Sequence, residues 1–148
     1  MKKISIDKLK AREGSEYPAP FDQPCRRRSR RALGDAAGLT DFGVNVMQLE
    51  PGAWSSQRHW HSKEDEFVWV LEGQVVLVSN EGEETFSAGD CAGFKAGERN
   101  GHHFQNRTDQ PARLLEVGSR HHDDVCEYPD IDMRWDGPSP THKDGRPY

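Results

Sequence analysis

The sequence predicts an all-β fold, an antiparallel barrel or sandwich with polar arms at both ends. Three observations carry that prediction. Short apolar runs recur between residues 42 and 118, separated by Gly, Asn and Asp turn residues. No stretch repeats its apolar residues at helical spacing, and no internal repeat is present. The chain has 148 residues, the size of one domain, yet only 33% are hydrophobic and mean hydropathy is −0.94, so the core occupies only part of it.

Residues 1–41 are polar and irregular, with Tyr17-Pro18-Ala19-Pro20 and the run Arg26-Arg27-Arg28-Ser29-Arg30-Arg31, and read as an N-terminal arm. From Phe42 the texture changes: Phe42, Val44 and Val46 alternate as in a half-buried strand, and Pro51-Gly52 breaks the run. Residues 65–72 form the strongest strand, Gly73 turns it into 74–79, and Asn80-Glu81-Gly82 leads to a short strand ending at Phe86. Cys91 to Phe94, His103 to Asn106 and Ala112 to Gly118 complete the barrel region, 42–118. Residues 119–148 return to polar sequence and read as a C-terminal arm packed on the barrel. In the strongest strand Glu66, Val68 and Val70 share one face, while Phe67, Trp69 and Leu71 share the other. Both faces are apolar, so the second sheet, an arm or a partner subunit must cover the outer one; a homodimer is expected.

Twenty Lys and Arg against 25 Asp and Glu leave a net charge of −5, with no global attraction to nucleic acid or an anionic membrane. No apolar run approaches the ~18 residues of a membrane span, and the basic start lacks the apolar core of a signal peptide. Cys25, Cys91 and Cys126 are odd in number and widely spaced, which fits structural thiols in a reducing cytoplasm. The arginine run could bind phosphate or nucleic acid, but it suits a solvated or ion-paired edge on an acidic body better, because no helix-turn-helix pattern accompanies it.

The chemistry concentrates in 52–73 and 89–106. His59 and His61 are two apart, so on a strand they point the same way, as a shared ion requires. A tight turn through Ser62-Lys63-Glu64-Asp65 would fold Glu66 back opposite them as a carboxylate ligand. Two neutral nitrogens and one hard oxygen suit Fe(II), Mn(II), Ni(II) or Zn(II). His102 and His103 follow a glycine turn and point to opposite faces, so only one can be a fourth ligand.

These stretches resemble the two motifs of the cupin superfamily. Gly52, His59, His61, Glu66 and Gly73 match the first, with one extra residue before His59. Gly89, Gly97, His102 and Asn106 match the second, with Lys95 where proline is usual and two extra residues before His102. The spacing to Asn106 selects His102 over His103. The resemblance implies a double-stranded β-helix, a jelly-roll barrel, holding one divalent transition metal by His59, His61, His102 and Glu66. The whole chain also resembles a family of small single-domain bacterial cupins, some loosely described as sugar-phosphate isomerases or regulators, descriptions that rest on fold analogy.

Other side chains suit lesser roles. Trp60 must point away from the histidines and reads as packing. Arg58 and Arg99 are candidates for binding a substrate anion, and with Lys95 they flank the proposed ligands, so a small anionic molecule is the expected ligand. Tyr128 is a candidate lid and proton donor, and Arg99 a second weak catalytic candidate. Glu64 and Asp65 read as solvated turn residues, His103 as a loop support, and His121-His122-Asp123-Asp124 as a surface patch. The expected function is a small metalloenzyme of isomerase, lyase or dioxygenase type acting on an anionic, hydroxy or keto substrate. The alternative is a non-enzymatic metal- or ligand-sensing cupin.

Overall fold

The computed structural model describes residues 3–148. Strands β1 (Arg12–Glu13) and β2 (Arg28–Ala32) and the short helix α1 (Leu33–Ala37) precede β3 (Phe42–Leu49). There follow β4 (Trp60–His61), β5 (Glu66–Glu72), β6 (Gln74–Ser79), β7 (Gly82–Ser87), β8 (Cys91–Phe94), β9 (His103–Gln105) and β10 (Ala112–Ser119). Strands β11 (Cys126–Tyr128) and β12 (Met133–Trp135) close the series. The strands form an antiparallel six-stranded sheet, β1-β2-β3-β10-β5-β8, and two three-stranded sheets, β7-β6-β9 and β12-β11-β4. No helix of the described residues is long and apolar enough to cross a membrane.

Period-two alternation builds the core. Val68 and Val70 from β5, Met47 and Leu49 from β3, and Ala112 and Leu114 from β10 turn inward against Val75, Phe86 and Phe104 of the smaller sheet. Gly73, at φ +79°, makes the β5–β6 turn, and a side chain there would strike the Pro111 carbonyl oxygen at 2.8 Å. A second apolar cluster joins Cys126, Tyr128 and Met133 to Tyr17 and Phe21.

The arms are more structured than their composition suggests. Within 1–41, expected to be irregular, Arg28–Ala32 pairs with β3 over the full length of the strand, so the six-stranded sheet begins before residue 42. Within 119–148, β11 pairs with both β4 and β12. Polar side chains hide such strands from a hydropathy reading, because what holds them is main-chain pairing along an established edge. Neither arm covers the outer face of β5: Phe67 and Trp69 stay 40% and 44% exposed, with Leu71 and Phe42 also open to solvent.

Candidate metal centre

Main-chain pairing brings His59, His61, Glu66 and His102 together. His59 and His102 face each other across an isolated bridge, with N–H to carbonyl distances of 3.1 and 2.9 Å in the two directions. His61 follows on β4, on the same side as His59. Glu66 does not arrive by the expected hairpin, because β4 pairs with β11 whereas β5 pairs with β8 and β10. It reaches the histidines from a different sheet. The intervening turn is exposed at Asp65, as expected, and also pinned: the Asp65 carboxylate accepts the Ala96 N–H at 2.8 Å, and that of Glu64 accepts the His121 N–H at 2.7 Å.

One oxygen, Glu66 Oε2, lies 3.0 Å from His102 Nε2, 3.5 Å from His59 Nε2 and 3.7 Å from His61 Nε2. The other ring nitrogens face oxygen acceptors. His61 Nδ1 lies 2.5 Å from Asp124 Oδ2, His59 Nδ1 3.0 Å from the Gln57 carbonyl, and His102 Nδ1 3.3 Å from the Asn100 carbonyl. Each ring can therefore donate through Nε2 to Glu66, or through Nδ1 to its second acceptor, the tautomer that frees Nε2 to ligate a cation. In that tautomer three Nε2 lone pairs and a Glu66 oxygen converge on one point, an arrangement that a cation completes. Three imidazoles and one carboxylate, each imidazole oriented through its second nitrogen, fit a divalent transition metal.

Burial alone would raise the Glu66 pKa, but the His102 and His59 imidazoles outweigh it and hold the carboxyl well below the usual range. Asp124 balances the same way: burial pushes it up, and His61 with the Lys63 N–H brings it below the ordinary value. His103 points elsewhere. Its Nδ1 faces the Ser56 carbonyl at 2.9 Å, and burial lowers its pKa to about 4, so it is a neutral buried support. Asn106 binds the Leu49 and Gln110 carbonyls at 2.9 and 2.8 Å and closes the end of β9.

Two cavities of about 610 Å³ adjoin the cluster, and His61, Glu64 and Glu66 line both. His59, Tyr128 and Cys126 face the first, and His102, Phe94 and Lys95 the second. Tyr128 stacks on His59 at 5.9 Å, deeply buried rather than poised as a mobile lid, and burial raises its pKa well above the usual value.

Arg58 and Arg99 line neither cavity. Arg58 is occupied by Asp130 through bonds of 2.6 and 2.7 Å, and Arg99 lies 5.6 Å over the Trp60 ring. His121, His122 and Asp123 form an exposed cluster.

Sequence reasoning missed Asp124 as the partner of His61, Cys126, whose sulfur lies within 4.8 Å of donor atoms of His59 and His61, and Arg28 and Arg30 in the first cavity. The alternation of Cys126 and Tyr128 was the one available signal for the last strand pair, and the arginine run that holds Arg28 and Arg30 was legible only as charge.

The Cupin domain family model matches residues 45–118. A sugar phosphate isomerase of the cupin superfamily from Silicibacter pomeroyi is 48% identical, with a TM-score of 0.93 over 99% of this chain and 96% of that one. A protein from Acidithiobacillus ferrooxidans, provisionally named a sugar phosphate isomerase, is 30% identical, with a TM-score of 0.76 over 87% and 80%. A polyketide cyclase from Streptomyces resistomycificus is 25% identical, with a TM-score of 0.64 over 80% and 79%. No curated protein matches the sequence. The family match, the close structural relative and the antiparallel β-barrel agree: the chain belongs to the cupin superfamily.

Proposed function

We propose that the protein is a metal-dependent enzyme that acts on a small oxygen-rich substrate, of isomerase, lyase or dioxygenase type. One divalent transition ion, Fe, Mn, Ni or Zn, would be held by His59, His61, Glu66 and His102. The observation that carries this reading is the convergence of three Nε2 atoms on Glu66 Oε2 at 3.0 to 3.7 Å, each ring oriented through its Nδ1. Such an ion supplies Lewis acidity toward a carboxylate, enediol or hydroxyketone oxygen.

The chain's own residues have distinct tasks. Asp124 fixes the tautomer of His61. Tyr128 stacks its ring on His59, and its hydroxyl, 3.5 Å from that of Tyr17, would supply a proton to a developing alkoxide. The two flanking cavities admit a substrate from either side of the cluster. The names of the Silicibacter and Acidithiobacillus relatives favour isomerase chemistry on a sugar derivative within this range.

The test is metal analysis of the purified protein, with oxygen uptake measured in parallel. About one equivalent of metal per chain in the wild type, lost in His61→Ala, is the expected outcome. Iron with oxygen consumption selects the dioxygenase branch; zinc, nickel or manganese without it selects isomerase or lyase chemistry. Stoichiometric metal retained by His61→Ala contradicts the assignment.

A further inference from the structure

We infer that Arg28 is the seat for an oxyanionic group, a carboxylate or a phosphate monoester, of the molecule that occupies the first cavity. This rests on the reading of that cavity as a substrate site and names the chemistry it selects. Four arginines line it: Arg12, Arg28, Arg30 and Arg120. Arg12 is held by Glu16, Arg30 by Glu116 at 2.9 Å, and Arg120 by Asp35. Arg28 alone of the four has no carboxylate partner among the described residues.

Arg28 is also only 9% exposed. Its Nε donates to the Gly14 carbonyl at 2.9 Å and its guanidinium lies 5.8 Å from the Tyr17 ring centroid, while the terminal nitrogens have no hydrogen-bond partner among the described residues. Set in the cavity wall, these two terminal nitrogens have their hydrogen-bonding capacity free for a ligand. Burial and the neighbouring Arg30 lower its pKa, with Cys25, Tyr17 and Glu116 acting the other way. The planar fork of two free nitrogens matches a carboxylate or phosphate in two-point contact.

The position suits a substrate that spans the cavity. Tyr17 meets Tyr128 edge-on at 5.7 Å, and Tyr128 stacks on His59. The aromatic pair thus lines the cavity from the anion seat to the histidine cluster. A molecule with an oxyanion at one end and a hydroxyl or carbonyl at the other would place the first on Arg28 and the second beside Glu66. The carboxylates along this cavity do not compete for Arg28. Glu116 holds Arg30, Glu16 holds Arg12, Asp124 holds His61, Asp136 lies 3.2 Å from Arg134, and Glu64 accepts the His121 N–H.

Calorimetric titration of metal-free protein with inorganic phosphate and with malonate tests this. The wild type should bind one of the two anions or both, and Arg28→Gln should weaken that binding at least tenfold, with Arg28→Lys in between. A phosphate response with malonate inert assigns a phosphate ester, and the reverse assigns a carboxylate. Binding equal in wild type and Arg28→Gln, or no binding of either anion by the wild type, overturns the inference. Should Arg28→Gln not fold, the wild-type melting temperature decides instead: it should rise with phosphate or malonate and stay flat with chloride at equal ionic strength. The Co(II) stoichiometry of wild type and Arg28→Gln separates this from the metal reading. One equivalent in both with no anion bound defeats the seat alone, and anion binding by a wild type that takes up no Co(II) defeats the metal reading alone.

Discussion

The two ends of the barrel interior are built on the same strands and do opposite things. Along the inner face of β5 the sequence runs Glu66, Val68, Val70; along β10 it runs Glu116, Leu114, Ala112; along β3 it runs Asn45, Met47, Leu49. In each case one or two steps of the pleat carry the face from polar to apolar. The apolar end is closed by Val75, Phe86 and Phe104, and its buried Asn106 is satisfied by the Leu49 and Gln110 carbonyls. The other end holds three imidazoles and several carboxylates, each oriented by a specific hydrogen bond. Stability therefore resides at one end and chemistry at the other, and substitutions should separate the two.

Leu114→Ala should make the largest difference. Leu114 is fully buried, and emptying its place should cost about 2–5 kcal/mol in urea denaturation while metal stoichiometry stays at the wild-type value. An unchanged urea midpoint, or lost metal in the folded variant, would break the division of labour. Asp124→Asn is the converse. The remaining carbonyl oxygen is held by Ser62 and the Lys63 N–H, which turns an amide donor toward His61 Nδ1, so metal affinity should fall roughly 10- to 100-fold in a competition titration with little change in the metal-free unfolding midpoint.

The inner and outer faces of β5 offer a second contrast. Phe67, Trp69 and Leu71 are exposed on an outer face that would be polar in a lone barrel. The expectation that a second copy covers this face predicts a dimer mass by light scattering for the wild type. Trp69→Lys should halve that mass and leave metal binding untouched; a monomeric wild type would remove the dimer from the account. The smallest effect concerns thiols. Cys91 is exposed, whereas burial pushes Cys25 up to about 11 and Cys126 higher still. A disulfide reagent at pH 8 should titrate one thiol in the native protein and three after denaturation.

Much of this was legible in the sequence, for reasons that the structure makes plain. Val68 and Val70 alternate with Phe67 and Trp69, and such alternation is what a pleated strand requires. His59 and His61 are brought to one side by the same period, and the glycine turn ahead of His102 sets its direction. The rest depends on contacts between distant segments. Asp124 reaches His61 only because β11 pairs with β4, a register with no local signature. Arg28 and Arg30 sit in a run whose charge mimics a solvated loop, yet the edge of β3 recruits it as a strand. Arg58 and Arg99 lie close in sequence to the histidines but are turned outward, where Asp130 and Trp60 hold them.

The most direct test of the central claim is anomalous diffraction at a metal edge from crystals of the metal-loaded protein. The account predicts one strong peak per chain, about 2.0–2.2 Å from the Nε2 atoms of His59, His61 and His102 and from a Glu66 oxygen. A peak bound elsewhere, or loaded crystals with no peak among these four side chains, would contradict it.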